Sequence, residues 1–381
     1  MNVLIYGDTE SSPALRHEVP LAIGDAFLYL ESDDRRAVLT NALEEGRIAR
    51  VAPELDRLLG EAFGRDELIA AGHPWWAIEE EVCVRAVASL EIREAAVPPN
   101  FPMALADRLR AEGVELTAAG ALFAERRRHK TEAEMAGIRR ATVAGLEAMH
   151  EAATMLREAT IRGDELWQGD ERLTAETVRA RIREVCGRLG APAPGDIMVK
   201  PMGPDPRIGH DPGAGPLAAH APILIDLWPR DEESSCWSDM TRTFVRGEIS
   251  DPIAELHALV LSAHEQACAA ARPGVKGVEL YGIACDVFEA AGYPTGRTKQ
   301  PGETLREGFY HGLGHGVGLA VHEPPLLGRT GTAPLVAGDV NAVEPGTVDR
   351  AIGGVRVEDL LVVTEDGAER LTGGFPYGLV P

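Results

Sequence analysis

The pattern of apolar and polar positions divides the chain into two parts of different character. Over the first 125 residues, AFLYLES and RAVLTN favour neighbouring strands, and PELDRLLGEAFG favours a helix that ends at a glycine. Farther along, apolar residues recur at helical spacing after Thr131 and Glu134, which fit a capping box. The pattern predicts an α/β (α+β) protein, with a smaller N-terminal α/β domain over residues 1–125 and a second domain over residues 126–381.

After residue 220 the pattern changes to apolar strands that carry acidic residues. APILIDLW and CWSDMTRTFV read as a hairpin with Asp226 and Asp239, and GDVNAVEPG and VRVEDLLVVTEDG form a second pair with Glu344 and Glu358. An ionised carboxylate in an apolar strand is costly unless a partner compensates its lost hydration. A single one is explained by an edge strand or an arginine, but four on matching strand pairs predict bound cations.

Three histidines lie between these strand pairs, in the segment FYHGLGHGVGLAVHEPP. His311 and His315 fall on the same face of an extended chain, His322 follows, and the glycines allow close backbone approach. HExxH is absent, which argues against a helix-borne zinc protease site. Four carboxylates and one imidazole form an oxygen-rich set that suits two divalent metal ions, most simply Mn, with Co, Zn or Fe as alternatives.

Composition narrows the possible partners. The chain has 38 basic and 60 acidic residues, a formal net charge of −22, which argues against a nucleic-acid or anionic-membrane partner. Its five cysteines lack a CxxC pair and indicate buried thiols in a reducing compartment. The start MNVLIYGDTE lacks the pattern of a secretory signal, and no run of 18 apolar residues occurs. We therefore expect a cytoplasmic protein.

Five segments, in the same order, resemble the metallopeptidases of family M24, which have the pita-bread fold. They are LIDLW, SDMTRTFV, FYHGLGHGVGLAVHEPP, AVEPG and GGVRVEDLLVVTEDG, within roughly residues 125 to 378. They are most similar to the branch of Xaa-Pro dipeptidase (prolidase) and aminopeptidase P. The resemblance implies a pita-bread catalytic domain and a homodimer.

The resemblance also implies a role for each candidate site residue. The metal ligands would be Asp226, Asp239, His315, Glu344 and Glu358, with Asp239 and Glu358 bridging both ions. The catalytic residues would be Glu344, His322, His210, His311 and Arg356. Glu344 would shuttle a proton to the leaving proline nitrogen, and His322 would contact the developing oxyanion. Arg356 would orient Glu358, pair with a substrate carboxylate, or form a supporting salt bridge.

The implied activity is that of an exopeptidase that hydrolyses Xaa-Pro bonds by attack of a hydroxide shared by two metal ions. Its substrates would be small peptides with proline at the second position. The sequence leaves open whether the enzyme is a dipeptidase or an aminopeptidase. Two alternatives also remain: a non-catalytic pita-bread module that binds peptides or proteins, and a hydrolase of a non-peptide amide.

Overall fold

The structure is a computed structural model that describes residues 1–32, 35–207 and 209–381. The chain forms two compact units, Met1–Arg127 and Arg128–Pro381. The predicted boundary between two domains, after residue 125, stays a prediction.

A six-stranded sheet with helices on both faces forms the first unit, in the strand order β4-β3-β2-β1-β5-β6. Its strands are β1 Val3–Gly7, β2 Phe27–Ser32, β3 Arg35–Thr40, β4 Asp56–Leu59, β5 Glu94–Val97 and β6 Glu115–Ala118. Its helices are α1 Pro13–Glu18, α2 Ala42–Val51, α3 Arg65–Ala70, α4 Trp75–Ser89, α5 Met103–Ala111 and α6 Gly120–Arg128, with a 3₁₀ turn at Gly60–Phe63. Both faces are buried: Val3 and Ile5 pack on one side and Leu4 on the other.

The sequence-based predictions for this unit are partly right. The strands predicted from AFLYLES and RAVLTN are confirmed as β2 and β3, which pair antiparallel. The helix predicted from PELDRLLGEAFG is wrong, because Asp56–Leu59 forms β4 and pairs in parallel with β3. Pairing with a strand distant in sequence outweighs the local helical pattern at this edge of the sheet.

The described residues of the second unit form four helices and several antiparallel sheets. Its helices are α7 Glu132–Glu158, α8 Ala175–Arg188, α9 Asp251–Ala270 and α10 Gly277–Ala290. Its first strands are β7 Thr160–Arg162, β8 Glu165–Gln168, β9 Glu171–Arg172, β10 Met198–Pro201, β11 Pro222–Leu227 and β12 Met240–Val245. The remaining strands are β13 Gly314–Gly316, β14 Glu323–Leu327, β15 Val340–Val343, β16 Gly346–Asp349, β17 Gly353–Arg356, β18 Asp359–Val363 and β19 Ala368–Arg370.

Two of these sheets carry the strands in which the sequence placed acidic residues. One has the order β10-β11-β12 and the other the order β14-β13-β15-β18-β19. A core of α7, α8 and the first sheet includes Met149, Ile182 and Ile225, and a core of α9, α10 and the second sheet includes Val260, Phe288 and Leu361. Each of these two sheets therefore packs against its own pair of helices.

The N-terminal cap of α7 is confirmed as a capping box. The Thr131 hydroxyl accepts from the Glu134 backbone N–H at 3.1 Å, and the Glu134 carboxylate accepts from the Thr131 backbone N–H at 2.8 Å. This cap fixes where the 27-residue helix begins.

All five cysteines are buried with free thiols, as expected from their spacing. Across the described part of the chain, no helix combines the length and the apolar character needed to cross a membrane.

Candidate metal centre

The four predicted carboxylates lie at or next to the ends of strands in two antiparallel pairs. The β11–β12 pair is antiparallel and places Asp226 opposite Thr241, while Asp239 immediately precedes β12. The β15–β18 pair ends with Val343 opposite Asp359. Glu344 directly follows β15 and Glu358 directly precedes β18, so that both lie at the same end of the pair. Asp239 and Glu358 thus precede their strands, although the sequence pattern placed them inside.

A backbone contact joins the two strand pairs at the carboxylates. The Glu358 N–H donates to the Thr241 carbonyl at 3.1 Å, and the two residues form an isolated antiparallel bridge. The Thr241 hydroxyl also donates to the Glu358 carboxylate at 2.5 Å. Thr241 therefore fixes both the main chain and the side chain of Glu358. No role was predicted for Thr241 from the sequence, although it lies in the segment SDMTRTFV.

Glycines bring His315 into the same cluster. His315 is the middle residue of β13, and a Cβ at the preceding Gly314 would lie 1.9 Å from the Ala342 carbonyl oxygen on β15. Only glycine allows the two strands to approach this closely. The His315 Nε2 atom lies 3.7 Å from Oδ2 of Asp239 and 3.7 Å from Oε1 of Glu344.

The imidazole of His315 is oriented as a metal ligand requires. Its Nδ1 lies 3.2 Å from the Gly316 carbonyl oxygen, so that Nδ1 carries the proton and Nε2 presents a lone pair to the cluster. Ligand atoms of Asp239, His315 and Glu358 all lie within 4.8 Å of one another, and the three residues are buried. This spacing fits a single cation held by two carboxylates and one imidazole.

The remaining carboxylates interact with Arg356. Its guanidinium donates to Asp226 Oδ2, and its Nη1 lies 3.7 Å from Oε2 of Glu344. Its Nε donates to the Thr241 hydroxyl at 3.3 Å. Arg356 therefore forms a salt bridge with Asp226 and reaches Glu358 through the Thr241 hydroxyl, and its predicted role in the reaction stays a prediction.

One oxygen of Asp226 provides an independent test of whether a cation fits. Its Oδ1 is buried and accepts no hydrogen bond from any residue that the structure describes. A buried carboxylate oxygen without a donor is destabilising, and coordination to a divalent cation would compensate it. The donor set and this oxygen therefore fit metal binding.

Proximity changes the pKa values of the carboxyl groups. Burial, followed by the neighbouring carboxylates, raises the pKa of Asp239 and of Glu358 well above their ordinary values. Burial also raises the pKa of Asp226, against the opposing effect of Arg356. For Glu344, burial favours a higher pKa, but the charges of His311 and Arg356 outweigh it and lower the pKa. Glu344 is thus the carboxyl group of the cluster that most readily stays ionised.

A cavity of about 190 Å³ contains the cluster. It is lined by all five predicted metal ligands, by the predicted catalytic residues His210, His322 and Arg356, and by Asp196, Trp228 and Val321. The rings of His322 and His315 meet edge to face, with their centroids 4.2 Å apart. Burial, followed by the nearby His315, lowers the pKa of His322.

Sequence reasoning missed three residues of the cavity lining. Trp228 directly follows β11, and Asp196 precedes β10, whose Met198 pairs with Asp226. Asp196 stands alone among prolines and glycines, so that no pattern marked it. His311, by contrast, lines a neighbouring cavity, where its Nδ1 lies 2.7 Å from the Gly312 carbonyl oxygen.

Comparisons with known proteins point to one family. The sequence model of Metallopeptidase family M24 matches residues 136–365, more than half of the 381-residue chain. The chain is 39% identical over 135 residues to the Xaa-Pro dipeptidase of Pyrococcus furiosus, in an alignment that covers 35% of each chain. It is 39% identical over 150 residues to the Xaa-Pro dipeptidase of Pyrococcus horikoshii, covering 39% of each. The matched region thus spans little more than a third of these relatives' length.

Solved structures share the whole fold. An Xaa-Pro dipeptidase from Bacillus anthracis superposes with a TM-score of 0.79 at 22% identity, covering 100% of this chain and 94% of the other. An X-Pro aminopeptidase from Thermotoga maritima gives a TM-score of 0.76 at 23% identity, covering 99% and 96%. At this identity the likeness shows the fold alone, which is the mixed α/β architecture with the pita-bread fold of the prolidases. By its sequence, the chain belongs to metallopeptidase family M24.

Proposed function

We propose that the chain is a metal-dependent exopeptidase that hydrolyses Xaa-Pro peptide bonds with two divalent cations. The observation that carries this proposal is the convergence of Asp239, His315 and Glu358, whose ligand atoms lie within 4.8 Å of one another. Asp226 and Glu344 line the same cavity and provide the oxygens for a second ion. The names of the relatives and structural neighbours, Xaa-Pro dipeptidase and X-Pro aminopeptidase, support the substrate class.

The residues that would hold the two ions are Asp226, Asp239, His315, Glu344 and Glu358. When bound, the ions lower the pKa of a water molecule and polarise the scissile carbonyl. Manganese remains the first candidate, because carboxylate oxygens dominate the donor set and thiolates are absent from it.

The side chains would direct the proton transfers and the position of the substrate. Glu344, which stays ionised because its pKa is lowered, would take a proton from the attacking water. It then delivers that proton to the proline nitrogen, which cannot leave as an amine until it is protonated. His322, beside His315, would donate a hydrogen bond to the oxyanion that forms at the carbonyl.

His210 and Arg356 would position the peptide. Both line the cavity, and Arg356 also holds Asp226 in place. The homodimer and the cytoplasmic location remain predictions.

Hydrolysis with defined metal content tests the proposal. The protein is stripped of metal with a chelator and assayed on Ala-Pro, Ala-Pro-Ala and Ala-Ala before and after Mn²⁺ is added. We expect cleavage of at least one proline peptide only after Mn²⁺ is restored, with Ala-Ala cleaved much more slowly. Metal uptake without cleavage of either proline peptide would contradict the proposal and favour a binding module or another amide substrate.

A further inference from the structure

A buried arginine holds the main chain where the two strand pairs of the metal cluster meet. Arg242 follows Thr241 on β12 and is 1% exposed. Its Nη1 atom donates to the Thr241 carbonyl at 3.0 Å and to the Glu358 carbonyl at 2.6 Å. Thr241 and Glu358 form the bridge between the two strand pairs. Arg242 therefore fixes the backbone from which the Glu358 carboxylate enters the cluster.

Arg242 also forms a buried salt bridge with the residue that follows Glu358. Its Nη2 atom donates to Asp359 Oδ1 at 2.9 Å, and Asp359 is fully buried. Asp359 is not among the described residues that line the metal cavity. Taking both charges out of water is costly unless further hydrogen bonds satisfy them. The position of this pair, and with it that of the Glu358 main chain, therefore depends on the other partners of the pair.

Residues 372–377, which come after β19, provide those partners. The Thr372 hydroxyl donates to Asp359 Oδ1 at 2.8 Å, and the Tyr377 hydroxyl donates to Asp359 Oδ2. Two main-chain carbonyls of the 372–377 segment accept hydrogen bonds from Arg242, at 3.2 and 3.4 Å. The Arg242 guanidinium lies 4.6 Å from the centroid of the Tyr377 ring, which adds a cation–π contact. The 372–377 segment thus completes the surroundings of the salt bridge.

We propose that the 372–377 segment is a positioning element of the metal centre, so that its packing and metal binding stabilise each other. None of the described residues that line the cavity belongs to the segment, which therefore acts through Arg242 and Asp359. Residues that orient a metal ligand without touching the ion change metal affinity by about 10- to 100-fold. A coupling free energy is reciprocal, so that bound metal also stabilises the packed segment. The inference deepens the proposed function, on which it rests for the identity of the metal centre.

Removing one hydroxyl from the segment tests the positioning role. Tyr377→Phe keeps the ring beside Arg242 but removes a donor to Asp359, and we expect Mn²⁺ to bind the metal-free protein about tenfold more weakly. Isothermal titration calorimetry measures the affinity. Thr372→Val removes the second donor and has the same effect, whereas Thr372→Ser keeps the hydroxyl and the wild-type affinity.

A tyrosine of the first unit provides the matched control. The Tyr29 hydroxyl donates to the Glu31 carboxylate at 2.8 Å, and Glu31 is not a candidate metal ligand. Tyr29→Phe therefore loses the same kind of hydrogen bond at residues outside the second unit, and it leaves the Mn²⁺ affinity unchanged. An equal loss of affinity in Tyr29→Phe and Tyr377→Phe, or no loss in either, would overturn the proposal.

Hydrogen–deuterium exchange measures the reciprocal effect. Exchange of the backbone amides of the 372–377 segment is followed by mass spectrometry with and without Mn²⁺. We expect bound Mn²⁺ to slow this exchange about tenfold in the wild type and in Tyr29→Phe, and by less in Tyr377→Phe. A side chain that supported only the overall fold would change the exchange rates without changing their response to Mn²⁺. Exchange that does not respond to Mn²⁺ in the wild type would refute the coupling.

Peptide cleavage separates this inference from the proposed function. The wild type and Tyr377→Phe are assayed on Ala-Pro and Ala-Pro-Ala at saturating Mn²⁺, beside the affinity measurement. Mn²⁺ affinity that depends on Tyr377, in a wild type that cleaves neither peptide, supports the positioning role and contradicts the proposed function. Cleavage of either peptide, with an Mn²⁺ affinity independent of Tyr377, refutes the positioning role and leaves the proposed function intact.

Discussion

At the residue scale, the site depends on side chains that hold the candidate ligands as well as on the ligands themselves. Thr241 donates to the Glu358 carboxylate at 2.5 Å and also accepts the Glu358 N–H at its carbonyl. Partners of this kind orient a ligand before the metal arrives. We therefore expect the metal affinity to depend also on residues that do not touch the ion.

Replacing Thr241 with valine tests this dependence. We expect Thr241→Val to weaken Mn²⁺ binding by about 10- to 100-fold, because Glu358 loses its orienting donor. Isothermal titration calorimetry on the metal-free protein measures the affinity. Thr347→Val is the matched control, since the Thr347 hydroxyl is buried and has no hydrogen-bond partner among the described residues. Equal affinities in the two variants would contradict the role of Thr241.

The charge of Glu344 provides a second test. We expect Glu344→Gln to lower kcat by about 10²- to 10⁴-fold, because the amide cannot carry the proton to the leaving nitrogen. The change in KM stays smaller than the change in kcat. Steady-state kinetics on Ala-Pro peptides measures both, with metal content determined on the same sample. A fully metal-loaded variant with normal kcat would exclude Glu344 as the proton carrier.

The sequence predicted most of these residues but not all of their surroundings. The four carboxylates were visible because each interrupts an apolar run of the sequence, and the histidines because glycines surround them. Asp196 was not visible, since it precedes β10 and comes near Asp226 through the pairing of β10 with β11. Trp228 follows β11 directly and continues its apolar run, so that no pattern marked it as part of a site. His311 carried a strong local signal; it lines a neighbouring cavity, and its charge lowers the pKa of Glu344.

At the scale of elements, sequence patterns predicted correctly the features that depend on contacts between residues close together in the sequence. The capping box of α7 joins residues three apart, and the structure confirms it. The hairpin β11–β12 is also confirmed, because two apolar runs separated by the polar segment PRDEESS mark it in the sequence. The helix predicted near Asp56 was wrong, because β4 forms through pairing with β3, and no local pattern encodes that contact.

The α7 cap gives a stability prediction for one element. Thr131→Ala removes the hydroxyl that accepts from Glu134, and we expect a loss of about 1 kcal/mol in the free energy of unfolding. Denaturant unfolding of the metal-free protein measures this difference. Thr131→Ser, which keeps the hydroxyl, should remain near the wild-type value. An unchanged free energy in Thr131→Ala would show that the cap does not contribute.

At the scale of the whole molecule, folding concentrates negative charge that cations can neutralise. The chain carries −22 overall, and its two antiparallel sheets bring several carboxylates into one buried cavity. Folding thereby raises the pKa of Asp239 and of Glu358, first through burial and then through neighbouring acids. The metal-free site therefore binds protons that a cation must displace.

This competition predicts how metal affinity depends on pH. Because the pKa values of Asp239 and Glu358 are raised, protons occupy these groups at a pH where ordinary carboxyl groups are ionised. We expect Mn²⁺ affinity to rise with pH, by about tenfold per unit for each proton displaced. Titrations between pH 5.5 and 7.5, roughly the range in which most proteins are stable, measure the slope. A flat profile would contradict the raised pKa values.

The number of metal ions bound per chain tests the central claim most directly. The metal-free protein is equilibrated with Mn²⁺, and bound metal is measured by dialysis and atomic emission for the wild type, Asp239→Asn and Asp196→Asn. The account predicts about two ions per chain in the wild type and in Asp196→Asn, and loss of both in Asp239→Asn, which removes a carboxylate that the family resemblance assigns to both ions. A wild-type protein that binds no Mn²⁺, or an Asp239→Asn variant that retains both ions, would contradict it.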